Sequence, residues 1–388
     1  MTFLHFCPMK KIVLMPDSFK GTMSSSEICA IMKGRIAEHF PECTVCCIPV
    51  ADGGEGTVDC FEEAMNGQRV TLSVKGPFME EVDSFYALVD GGKTAIIEMA
   101  AAASLPMAAG REDPRITTTY GVGQLIADAV RRGCRHIIVG LGGSCTNDMG
   151  AGAAAGAGAK FYDAEGAEFV PTGATLDRIA KVDISALKAL LEGVSVTAMC
   201  DIDNPLYGKT GAAYVFAPQK GADAAMVELL DANLRAGAEA VKRCLGVDVA
   251  DLPGAGAAGG MGAGMVAFFG AQLKPGIETV LDTVGFEAIA SDADFVFTGE
   301  GRIDSQSLRG KVVIGIAGRA KAIGVPVIAI VGDIGDNMEP AYEMGVSAIF
   351  STNRVAVDFS KAKHRAKSDM DLTVDTVLRT LKLGMLVK

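Results

Sequence analysis

Five short segments of this 388-residue chain carry side chains that can do chemistry together: Pro16-Asp-Ser-Phe-Lys-Gly21, Ala51-Asp-Gly-Gly-Glu-Gly56, Gly140-Leu-Gly-Gly-Ser-Cys-Thr-Asn-Asp148, Cys200-Asp-Ile-Asp-Asn-Pro205 and Thr298-Gly-Glu-Gly-Arg-Ile-Asp304. Each carries a carboxylate, most with glycine beside it. Gly142, Gly143 and Ser144 can offer backbone N–H groups to phosphate at a helix N-terminus. Lys20 supplies a point charge for phosphate oxygens. Asp52, Glu55, Asp148, Asp201, Asp203 and Glu300 are hard oxygen donors suited to Mg²⁺. Asp148, Asp203 and Glu300 are the candidate metal ligands, while Asp201 or Asp52 can orient or deprotonate an attacking hydroxyl. Which carboxylate is the base stays open. Arg302 can stabilise charge on a transferring phosphoryl group or clamp a substrate carboxylate. Asp17, Ser18, Gly53, Gly54, Thr146, Asn147 and Asn204 complete the polar loops as candidate substrate or phosphate contacts. This set of groups suits phosphoryl transfer, which works by positioning and electrostatic stabilisation and needs neither His nor Cys.

Other chemistries find less support. No Gly-x-x-x-x-Gly-Lys-[Ser/Thr] occurs, since Gly310-Lys311 lacks the upstream glycine and Val312 follows. Gly254-Ala-Gly-Ala-Ala-Gly259 matches Gly-x-Gly-x-x-Gly, with Asp282 loosely at the acidic position. A dinucleotide site needs a strand before that motif, and here Leu252-Pro253 and a long helical stretch precede it. Gly256, Gly259 and Gly260 read better as a loop over phosphates or as tight helix packing. His5, His39, His136 and His364 all lie outside the five segments, which argues against a His-based triad or a His-held metal.

Bulk composition narrows the class. Hydrophobic residues are 49% of the chain and charged residues 21%, enough for a packed core. The net charge of −11 repels nucleic-acid backbones, so no nucleic-acid partner is expected. Cys43-x-x-Cys46 has no second pair at zinc-site spacing, and the ten cysteines read as free thiols in a reducing cytoplasm. Apolar stretches are interrupted by Gly and charge, so no membrane span is expected. A homo-oligomer is compatible with the sequence.

The elements that must position the five segments alternate strand and helix. Lys11–Met15, Thr44–Val50 and Arg69–Val74 read as strands of one parallel sheet, with helices between them. Ser24-x-x-Glu27 is a capping box opening the first helix. Glu81–Val89, Asp90-Gly91-Gly92 and Thr94–Met99 read as a β-hairpin that enters a second domain. Strands over His136–Leu141, Val194–Cys200 and Asp294–Phe297 each run into a polar loop, where open α/β sheets place their ligands. The expected fold is α/β: a Rossmann-like doubly wound parallel sheet (9–75 plus 271–388) interrupted by a second α/β domain (76–270). Residues 1–8 are expected to be a disordered extension.

The five segments, with Pro218-Gln-Lys-Gly-Ala222 and Pro253-Gly-Ala-Gly-Ala-Ala-Gly-Gly260, resemble the type 1 glycerate kinase family of bacteria in content and order, from about Lys11 to Val331. The resemblance implies ATP- and Mg²⁺-dependent phosphorylation of D-glycerate, with the site in the cleft between two α/β domains. It favours 2-phosphoglycerate as product, with 3-phosphoglycerate the alternative, in small-organic-acid catabolism. It implies that Asp201, Lys20, Arg302 and Asp52 carry the reaction. A different class of function, a non-catalytic small-molecule sensor of the same fold, would keep binding but lose turnover.

Overall fold

Lys11–Pro16 is buried along its whole length beyond Lys11, as a strand covered on both faces must be. It pairs in parallel with Thr44–Cys47 on one side and with Phe295–Gly299 on the other. Phe295–Gly299 pairs in parallel with Val327–Val331, which in turn pairs with Val346–Ser351. Numbered along the chain, these five strands lie in the order 2-1-3-4-5. That is a doubly wound sheet whose connections reverse direction between Lys11–Pro16 and Phe295–Gly299, and the crevice outside the carboxyl ends of those two strands is where such sheets bind ligands.

The computed structural model describes residues 9–51 and 53–386. The extension expected over residues 1–8 and the candidate residue Asp52 lie outside the described residues. The chain divides into two compact units. One joins the chain up to Ala51 with the chain from Pro275 onward, and the other runs from residue 53 to Lys274.

In the first unit, the helix Ser25–His39 opens with the expected capping box. Glu27 N–H donates to the Ser24 hydroxyl at 3.2 Å, and Ser24 N–H donates to the Glu27 carboxylate at 2.9 Å. Ile28, Met32 and Ile36 form its buried stripe. The helix packs on the C-terminal helix Ala366–Leu386, where Arg35 pairs with Asp371 and His39 Nε2 lies 2.7 Å from Asp375.

The second unit contains a six-stranded mixed sheet. Gln272–Lys274, Ser195–Met199, His136–Gly140 and Thr94–Glu98 run parallel, so their carboxyl ends share one edge. The expected hairpin is present, with Glu81–Val89 antiparallel to Thr94–Glu98. The domain boundary differs from the sequence expectation. Gln68–Lys75 pairs antiparallel with Glu81–Val89 along its whole length, and the helix Thr57–Met65 packs on that sheet, so both belong to the second unit. The break falls near residues 51–53, not at 75, and the return near 274, not at 270. A strand–helix–strand alternation looks the same whichever sheet receives its last strand, because sheet membership is set by partners distant in sequence. No helix among the described residues is long and apolar enough to cross a membrane.

Candidate active site

Three of the five polar segments fall within the second unit and come together at the carboxyl edge of its sheet. Gly142 N–H donates to Gly53 O at 2.9 Å, joining the second segment to the third. The contact is backbone on backbone: a Cβ on Gly142 would stand 2.5 Å from Gly54 Cα, and one on Gly140 would stand 2.4 Å from Gly53 O. Glycine is therefore required there by close approach. A cavity of about 240 Å³ opens beside this junction, lined by Gly142, Gly143 and Ser144, by Cys200, Asp201 and Ile202, and by Lys220. It is smaller than the roughly 300–1,000 Å³ of pockets for drug-sized ligands, and suits a small polar acid.

Lys220 is the cation of this cavity. It sits in the short turn Pro218–Lys220, is 2% exposed, and donates to Ser144 Oγ at 2.8 Å and to the Thr146 carbonyl at 2.6 Å. Burial presses its pKa down to about 8, against the smaller opposing pull of Cys145 and Asp148. Thr146 and Asn147 lie beneath, fully buried, and the Thr146 hydroxyl and both polar atoms of the Asn147 amide lack protein partners.

The third segment does not act as a helix N-terminus. Ser144 bridges to Ser104 as in a β-ladder, Gly143 O accepts from Leu105 N–H, and the next helix starts only at Ala151. The cradle expected from Gly142, Gly143 and Ser144 is thus a side-chain and loop surface anchored by Lys220. Asp148 is not placed as a metal ligand either. It is fully buried and accepts from Thr119 N–H and Oγ1 at 2.8 Å each, from Gly150 N–H at 3.1 Å and from Gly152 N–H at 3.3 Å. With these four donors of its own fold on it and no exposure to solvent, this carboxylate holds the loop together. Burial still outweighs these donors and raises its pKa.

Asp201 lines the cavity, whereas the exposed Asp203 does not, and Asn204 Nδ2 donates to Thr210 O at 2.8 Å. Gly256, Gly259 and Gly260 serve packing: added Cβ atoms would stand 2.4 Å from Pro205 O, 2.0 Å from Thr146 O and 2.9 Å from Leu206 Cδ1 respectively. Gly259 and Gly260 also hold φ of +68° and +89°. Of the two readings of this stretch, tight packing is the one the structure supports.

The other two segments lie in the first unit, at its switch point. Asp17 N–H donates to Gly299 O at 2.8 Å, and Ser18 N–H donates to Asp17 Oδ1 at 2.6 Å. Glu300 is 8% exposed and its Oε1 is buried without a protein partner. Burial pushes its pKa up to about 7, with the nearby Asp17 charge adding to the rise while the Ser307 hydroxyl opposes it. Lys20 is exposed beside these groups. Arg302 is exposed too, 3.7 Å from Asp304 and 4.0 Å from Asp333.

Seven ordered motifs and this arrangement of cavity and strand-end loops invite comparison with known proteins. The family model described as the glycerate kinase family matches residues 12–382. The chain belongs to the glycerate kinase family. Glycerate 2-kinase of Escherichia coli (strain K12) is 44% identical, over 97% of this chain and 99% of its own. Glycerate kinase of Bacillus cereus is 41% identical, over 96% of this chain and 98% of its own. In three dimensions, the crystal structure described as glycerate kinase 2 from Salmonella typhimurium LT2 superposes with a TM-score of 0.86 at 44% identity, covering 97% of this chain and 99% of that one.

Membership of a kinase family implies ATP as substrate, and Mg²⁺ is the metal expected from the sequence resemblance. Among the described residues no group of three His, Cys, Asp or Glu side chains is placed to hold an ion. Mg²⁺ nevertheless needs only one or two protein carboxylates when phosphates and waters complete its shell. The orphaned Glu300 oxygen next to Asp17 fits that requirement. Two residues escaped the sequence reading. Lys220 lay inside a recognised motif without a role, and its burial was the missing signal. Glu98, the only charge in the run Thr94–Glu98, is 3% exposed and accepts from Val58 N–H at 3.2 Å, tying the strand end to the helix that follows Gly53 and Gly54.

Proposed function

We propose that this member of the glycerate kinase family transfers the terminal phosphate of ATP to the 2-hydroxyl of D-glycerate, in the breakdown of small organic acids. The observation that carries the reading is the buried Lys220 ammonium, hydrogen-bonded to Ser144 in a small cavity that Asp201 also lines. D-Glycerate has the matching groups: one carboxylate for the cation and a neighbouring hydroxyl for the carboxylate of Asp201. Lys220 and Ser144 hold the acid, and Asp201 orients the hydroxyl and takes its proton as the oxygen attacks the γ-phosphorus. The bond from that phosphorus to the β,γ-bridging oxygen breaks, and ADP leaves.

Glu300 and Asp17 would hold Mg²⁺, which when bound neutralises charge on the phosphate oxygens. The 2-position is favoured by the name of the Escherichia coli relative, glycerate 2-kinase, at 44% identity.

Phosphorus NMR of the product from D-glycerate and Mg-ATP tests the reading. Phosphate on the secondary carbon couples to one proton and gives a doublet. A triplet would place it on the 3-hydroxyl, and absence of ADP would remove the kinase reading altogether.

A further inference from the structure

The first unit holds a second cavity, of about 290 Å³, at the carboxyl ends of its own sheet. The strands ending at Pro16, Gly299, Val331 and Ser351 lead to Phe19, Gly301, Gly332 and Thr352, all of which line it. Its floor is backbone in close contact: a Cβ on Gly332 would stand 2.3 Å from Gly301 O. Its outer wall is the segment after the last strand, with Asn353, Val357 and Phe359. Val357 and Phe359 are 41% and 63% exposed, so two large apolar side chains stand at the mouth, while Phe19 behind them is 4% exposed.

We propose that this cavity receives the adenosine end of the nucleotide; the inference rests on the ATP-dependent kinase reading. A flat heterocycle gains stacking and burial against Phe359, Val357 and Phe19, which a three-carbon hydroxy acid cannot. The Asn353 amide carries one donor and one acceptor side by side, the pattern that reads the N6 and N7 edge of adenine. Lys20 and Gly301 line the same cavity on the side of Glu300, so a nucleotide seated here directs its phosphates toward the switch point. Ligands of doubly wound sheets lie at that edge for the same reason: the strand ends expose backbone and loop groups there. Of the other charged residues at the wall, Lys363 is exposed, and the two carboxylates face arginines. Asp369 pairs with Arg365 at 3.0 Å, and Asp333 faces Arg302.

The test uses the full chain with Asn353→Leu and Phe359→Ser. Both positions are exposed, so neither change opens a core cavity. The expected result is a rise of about tenfold or more in KM for ATP in each variant, with KM for glycerate within about twofold of wild type. Calorimetric titration with Mg-ADP should show the same loss in affinity. Wild-type glycerate turnover with unchanged ATP KM and ADP affinity in both variants overturns the cavity assignment and leaves the kinase reading standing. Conversely, Mg-ADP binding that both variants weaken, in a protein that does not phosphorylate glycerate, supports the cavity and removes the acceptor. Failure of wild type to bind Mg-ADP overturns the assignment outright.

Discussion

Lys220 Nζ donates to Ser144 Oγ at 2.8 Å, joining groups 76 residues apart in the chain. That bond puts a buried cation at the wall of the second unit's cavity. Lys220→Met should raise KM for glycerate by roughly ten- to a hundredfold, the worth of a hydrogen bond to a charged group. Lys220→Arg should not rescue it, because the larger guanidinium does not fit a site where lysine is 2% exposed. Steady-state rates across glycerate concentrations check this, and an unchanged KM in Lys220→Met would take the residue out of the site.

The same residue predicts a pH dependence. Burial holds its folded pKa near 8, below the ordinary lysine value, so the folded protein loses this proton first as pH rises. If this ammonium binds the acid as proposed, that binding group is lost as pH rises through about 8. KM for glycerate should climb through that pH in wild type and stay flat over the same range in Lys220→Met. Initial rates between pH 7 and about 9.5 read the difference.

Asp201→Asn should lower kcat by about a hundredfold or more while leaving the melting temperature unchanged, since the side chain is exposed and supports no core packing. Wild-type turnover in that variant would assign the proton transfer elsewhere.

Glu98 predicts a stability profile. Burial, helped by the charges of Asp59 and Glu55, pushes its pKa up to about 7, while the Val58 and Gly56 N–H groups pull the other way. The folded state therefore binds this proton more tightly than the unfolded one, and its contribution, full below the unfolded value near 4.5, is lost as pH rises through 7. Glu98→Gln should flatten the unfolding free energy between pH 4.5 and 7, removing a slope worth on the order of 3 kcal/mol. Denaturant melts at several pH values show whether the two curves converge at low pH.

Gly259→Ala should destabilise the second unit by about 2–4 kcal/mol, because its Cβ would meet Thr146 O at 2.0 Å with φ at +68°. Urea unfolding of the variant checks it. A wild-type midpoint would mean that the backbone relaxes without cost.

Local chemistry settled much of this protein before any fold was known. The Ser24/Glu27 capping box, the hairpin around Asp90-Gly91-Gly92 and the buried strand Lys11–Pro16 each depend on residues a few positions apart, and each stands as the sequence implies. The polar loops after the strands were legible for the same reason, since a run of apolar residues ending in Gly and Asp marks a strand end. Tertiary structure decided what those loops hold. Whether Gln68–Lys75 joins one sheet or the other, whether Asp148 faces an ion or the donors of its own fold, and whether Lys220 is a surface charge or a buried one all depend on how the chain is assembled. Burial is a property of the assembled fold, and it is burial that turns an ordinary carboxylate or ammonium into a structural anchor or a binding group.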